Sequence, residues 1–162
     1  MAKPDLNSIG GRLLDAGYVG GIVDMNAAVI DSKVNDLTVA IDFGNAVGRS
    51  EVDGSCKAPT ADGDLLIGIA ARHAIRPASS DGNNTVSYAQ RDMVPVLKQG
   101  FIYVLAYENV VRGTVALSIT AQNGRIASTT GGAAGAGRVA IPGAVWETTT
   151  TADQIGIVRI AQ

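Results

Sequence analysis

Cys56 and His73 are the only thiol and the only imidazole in the chain, so nucleophilic or metal chemistry has to start from them or from carboxylates. One cysteine allows no intrachain disulfide and no cysteine-based zinc site, and one histidine rules out every multi-histidine metal centre. A free cysteine with no activating neighbour in sequence reads as a small buried apolar residue. The chain carries no Gly-x-Ser-x-Gly elbow and no recognisable Ser-His-Asp order. Several of its acidic residues fall beside glycine, as in Asp53-Gly54 and Asp62-Gly63, where tight turns explain them. Asp62-Gly63-Asp64 begins like a calcium loop but lacks the further oxygen positions and the distal glutamate. Gly135-Ala136-Gly137-Arg138-Val139-Ala140 fits the dinucleotide fingerprint on paper. That motif needs a helix to open after its glycines, and Ile141-Pro142-Gly143 would end one at once. The expectation is a non-enzymatic protein with no cofactor and no metal.

Recognition residues are the next candidates. Trp146 is the single tryptophan, and it is either a core anchor or an interface hot spot, since tryptophan is enriched in both. Leu6, Ile9 and Leu13, with Tyr18 beyond them, stud the N-terminal stretch with apolar groups that need a surface to lie on. Gly10-Gly11 interrupts their helical spacing at about 1 kcal/mol per glycine. Residues 1–19 therefore read as an arm, and residues 20–162 as one β-rich domain.

The elements that would hold these residues are short strands cut by turns. Gly21–Asp24 and Ala27–Asp31 are brief, and Leu37, Val39 and Ile41 alternate with Thr38 and Ala40 at the strand period. Leu65–Ala71 is apolar on both faces, as a strand covered on two sides must be. Met93–Lys98 and Phe101–Tyr107 flank Gln99-Gly100, which reads as a hairpin turn. Pro95 cannot donate to a ladder, which places its strand at an edge or a bulge. Thr114–Thr120, the turn at Asn123-Gly124, a turn at Pro142-Gly143 and a last strand at Ile155–Ile160 complete the series. Ser79–Asn84 reads as an exposed loop and Thr129–Gly137 as a small-residue mobile loop.

Composition agrees. A chain of 162 residues holds one domain with a real core. With 46% apolar but only 4% aromatic residues, that core is aliphatic, and 20 glycines supply turns throughout. The whole reads as all-β. The 13 basic residues are scattered and net charge is −2, so no basic stripe exists for nucleic acid. No apolar run approaches the roughly 20 residues of a membrane span, and the N-terminus lacks a signal-peptide layout. A soluble protein, made and used without secretion, is the expectation.

In order, residues 63–72 (GDLLIGIAAR), 93–115 (MVPVLKQGFIYVLAYENVVRGTV) and 140–160 (AIPGAVWETTTTADQIGIVRI) resemble the structural cement (capsid decoration) proteins of tailed bacteriophages. The resemblance spans about residues 45–160 and is one of segment order. It implies a small β-barrel or β-tulip-like domain, to which residues 1–19 would add the extended N-terminal arm read above. It also implies a homo-oligomer, with a trimer ahead of a dimer, bound to the major capsid protein on the outer surface of the virion. The family carries no catalytic residues to transfer. The alternative is another non-enzymatic virion component, such as a tail or glycan-binding module, for which Trp146 would be the aromatic platform. Leu6, Ile9, Leu13, Tyr18 and Trp146 are the expected interface residues.

Overall fold

The computed structural model describes residues 18–24, 28–72 and 87–161, and among them there is no α-helix. The strands are β1 (Val29–Asn35), β2 (Ile41–Asp42), β3 (Ala46–Arg49), β4 (Ser55–Lys57), β5 (Leu66–Ala70), β6 (Ser87–Tyr88), β7 (Met93–Leu105), β8 (Val115–Ile119), β9 (Arg125–Ser128), β10 (Arg138–Trp146) and β11 (Ile155–Ile160). Strands β1, β4, β3, β5 and β7 follow one another in pairing order, and β7 returns to β1 to close a five-stranded barrel. Past the barrel, β7 continues into a second sheet in the order β7-β11-β10-β8-β9. This sheet curls until Ile126 of β9 bridges Ala106, the residue that follows β7.

Two cores result. Inside the barrel lie Ile41, Val47, Cys56, Ala70, Val94 and Val96, all fully buried. The β2–β6 pair (Ile41 opposite Tyr88) belongs to this core. Tyr88 stacks at a tilt on Phe43, ring centroids 4.9 Å apart, and its hydroxyl donates to the Ala71 carbonyl at 2.7 Å. The larger core lies between the outside of the barrel and the second sheet, with Ile69, Leu97, Ile102, Ile126, Trp146 and Ile160 in it. Strand β5 serves both: Ala70 faces the barrel core and Ile69 the other. That double duty is why Leu65–Ala71 is apolar on both faces.

Several expectations are met. Strands β5, β8 and β11 fall where the sequence puts them. Asn123 and Gly124 both take positive φ, 50° and 89°, at the β8–β9 connection. Arg138 opens a strand rather than a helix, so the dinucleotide fingerprint lacks the element it requires.

Others are corrected. Gln99-Gly100 is not a turn, because β7 runs through it for 13 residues. Gly100, at φ 126°, is the point where the strand leaves β1 and β5 and takes up β11. Pro95 is not at an edge: β7 lies between β1 and β5, and the Pro95 carbonyl accepts from Ala71, just past the end of β5. Its missing N–H faces the Ala71 carbonyl, which accepts from the Tyr88 hydroxyl instead. Pro142-Gly143 is likewise inside a strand, at a shift of register between Ala140 and Val145 of β10, with Gly143 at φ 67°. Leu37–Ile41 is mostly bend, with only Ile41 and Asp42 in a strand. His73, Ser79–Asn84 and most of the arm lie outside the described residues.

Candidate protein-interaction surface

Among the described residues, Cys56, Asp62 and Asp64 are spent on structure. Cys56 is fully buried, and burial, helped by Asp36, pushes its thiol up to about 12. Asp62 accepts from the Gly137 amide at 2.9 Å and the Thr120 hydroxyl at 3.1 Å. Asp64 accepts from the Thr60 and Ala61 amides and pairs with Lys57 at 2.5 Å. Its burial works upward on its pKa, but the ammonium and the amides outweigh that and hold the carboxyl below its ordinary value. Both aspartates staple turns. No group of His, Cys, Asp and Glu among the described residues could hold a metal ion.

The small-residue segment Thr129–Gly137 is a loop, and it is anchored. At its root Glu108 and Arg138 form a two-pronged ion pair, 2.8 and 2.7 Å, and the Ser128 amide donates to the same carboxylate at 3.1 Å. Arg138 in turn holds Glu108 below the ordinary carboxylate range. The far end is tied through the Gly137 amide to Asp62.

What remains open is apolar surface on the barrel. In β7, Val94 and Val96 point into the core, so Met93 and Pro95 point out. Met93 is 64% exposed and stands opposite Val34 of β1, also exposed. Ile30 continues this outer face along β1. Val52, 58% exposed, sits in the turn that leads to β4, next to the Val34 amide, which donates to Gly54. Leu37, also exposed, lies just past β1, where the Gln90 side chain donates to the Asp36 carbonyl. Isolated exposed aliphatics need no explanation, but a run of them on one strand pair does.

The expected interface residues are only partly in view. Leu6, Ile9 and Leu13 lie outside the described residues. Tyr18 is 67% exposed, with the Arg72 guanidinium 5.1 Å above its ring. Just after it, the chain is fixed: Gly20 and Val23 donate to Tyr103 and Phe101, and Tyr103 donates to Gly21. Trp146 is corrected. It is fully buried, and its indole N–H donates to the Ala127 carbonyl at 2.9 Å, so it anchors the larger core and offers a partner or a glycan no surface. The β1–β7 face went unread in the sequence. Val29–Asn35 has no apolar alternation to read, because Asp31, Ser32 and Lys33 stand between Ile30 and Val34.

An all-β body with its polar groups used as staples and an apolar outer face describes a protein that works by docking. The family model described as structural cement protein (E217 gp24/Pam3 gp6) matches residues 7–161, and the chain belongs to that family. It is a capsid-stabilising structural protein, a component of a phage virion. Among solved structures, a chain from the capsid of Myoviridae Phage XM1 shares the fold, with a TM-score of 0.66 at 16% identity over 90% of this chain and 91% of that one. No curated protein matches.

Proposed function

We propose that the protein binds the outer surface of the major capsid protein lattice and stabilises the head, without catalysing a reaction. In this reading it acts as a homo-oligomer, a trimer ahead of a dimer. Residues 1–19 form an arm whose Leu6, Ile9, Leu13 and Tyr18 clasp a neighbouring subunit, and residues 20–162 form the body. The observation that carries the reading is the family match over residues 7–161. The exposed β1–β7 face supports it, since a docking protein needs apolar area beyond what its own core covers. A stable interface buries on the order of 1,600 Å² in total. A subunit that bridges two neighbours gains further, because its second contact is intramolecular.

The test is co-sedimentation of the purified protein with expanded shells of its major capsid protein, followed by heating. The expected outcome is saturable binding and a higher temperature of shell disruption. Shells that neither bind the protein nor gain heat resistance would refute the reading. Deletion of residues 1–19 is expected to weaken attachment while leaving the melting curve of the free body nearly unchanged.

A further inference from the structure

Strand β1 is fully paired on one side only. Along β7 its register runs from Val29 to Val34, but β4 meets it only at Val34 and Asn35. Over Val29–Lys33, no strand among the described residues covers the β4 side. The direction of the free groups follows from the alternation of a strand. Asn35 donates toward β7, to Asp92, whereas Val34 donates toward β4, to Gly54. Counting back by twos, Ser32 and Ile30 turn their N–H and C=O groups to the open side. Both residues are exposed, and Ile30 adds an apolar side chain to the outer face that Val34 and Met93 continue. An exposed edge of this kind is a template for another strand. There is no proline in β1, and its Lys33 is held, together with Lys98, by Asp31 at 3.2 and 2.8 Å.

We infer that the open edge of β1 is where an extended segment of the coat protein adds as a further strand, its main chain bonding to Ile30 and Ser32. The inference rests on the capsid-binding reading above and assigns it a surface. Charge specifies the segment further. Glu51 and Asp53 flank the exposed Val52 at the end of the edge, and neither is ion-paired among the described residues. Lys33 and Lys98, the nearest cations along β1 and β7, are already engaged. The incoming segment therefore carries apolar residues at alternate positions, to lie beside Ile30 and Val34, and a Lys or Arg over the 51–53 turn. Five edge residues span about 17 Å, enough for one short strand. A second copy of this chain fits less well. It would bring an identical acidic turn, and an antiparallel β1–β1 pair centred on Ser32 would run its partner into β4 at Val34.

The experiment measures binding of Ser32→Pro, Ser32→Thr and Asp53→Lys to shells of the major capsid protein, beside the unaltered protein. Proline removes one N–H on the open side and leaves the β7 ladder intact, so the melting temperature is expected to hold. Binding is expected to weaken about tenfold for Ser32→Pro and to stay unchanged for Ser32→Thr. Asp53→Lys is expected to weaken binding most at low salt. Ser32→Pro that melts normally and binds as tightly as the unaltered protein would overturn the inference while leaving the capsid reading in place. A change in oligomeric mass with shell binding intact would overturn it too, by making the occupant a second copy. If the unaltered protein fails to bind shells, the underlying reading falls and this assignment with it.

Discussion

Single side chains in this protein act as pegs. Trp146 fills the larger core and its indole is satisfied by Ala127, so Trp146→Ala removes both volume and a buried hydrogen bond. The expected loss is about 3–5 kcal/mol of stability, read from denaturant melts. Gly68 is needed for a different reason: a Cβ there would meet the Leu97 carbonyl oxygen and a Val96 methyl. Gly68→Ala is therefore expected to destabilise although it adds one methyl, since strand backbone has nowhere to move. Cys56, with its thiol raised to about 12, should stay unmodified by thiol reagents at neutral pH until the barrel unfolds. Glu108 gives a pH signature. Its carboxyl is depressed by Arg138, so the pair's contribution is complete above the ordinary value of 4.5 and is lost as pH falls through the lower folded value. In Glu108→Gln the melting temperature should be lower at neutral pH, and its gap from the unaltered protein should close below that window.

Among the elements, β7 is the one the rest depends on. Its first half closes the barrel against β1 and β5, and its second half founds the sheet with β11. Because one strand belongs to both, the two cores should melt together. Trp146 fluorescence reports on the larger core and Cys56 exposure on the barrel, and their transitions are expected to coincide. Two separated transitions would mean the halves fold independently. Gly100, buried at φ 126° in the middle of β7, should not accept alanine without a cost to both transitions at once. This strand also shows where local reading stops. Val115–Ile119 and Ile155–Ile160 were legible because each is an apolar run of strand length bounded by turns. Gln99-Gly100 and Pro142-Gly143 have turn chemistry, yet each is drawn through a sheet by partners far away in sequence, β11 and β1 in one case and β8 and β11 in the other. No local signal carries those partners. The exposed β1–β7 face was hidden for the same reason: Val34 and Met93 become neighbours only through a pairing between distant segments.

For the molecule as a whole, acid is the condition that separates its electrostatic contributions. Asp31, Asp64 and Glu108 all have carboxyls held below their ordinary values, the first by Lys98 and Lys33, the second by Lys57 against its own burial, the third by Arg138. Each favours the fold above the unfolded value and ceases to as pH falls through the folded one. Asp42 runs the other way, since burial raises it, and its protonation eases folding as acid is added. With three groups against one, the melting temperature is expected to decline below about pH 4 in a pH series of thermal melts. A flat profile there would show that these pairs add little. The continuity of β7 also bears on how the gene can change length. One codon inserted in its first half would turn every following side chain of the strand to the opposite face, sending Ile102 and Val104 outward and Tyr103 into the core. A codon added within Thr129–Gly137 would only lengthen a loop held at its two ends, at a small entropic cost. Insertions tolerated by this protein should therefore gather in such loops, and a tolerance screen of single-codon insertions should find β7 closed from end to end.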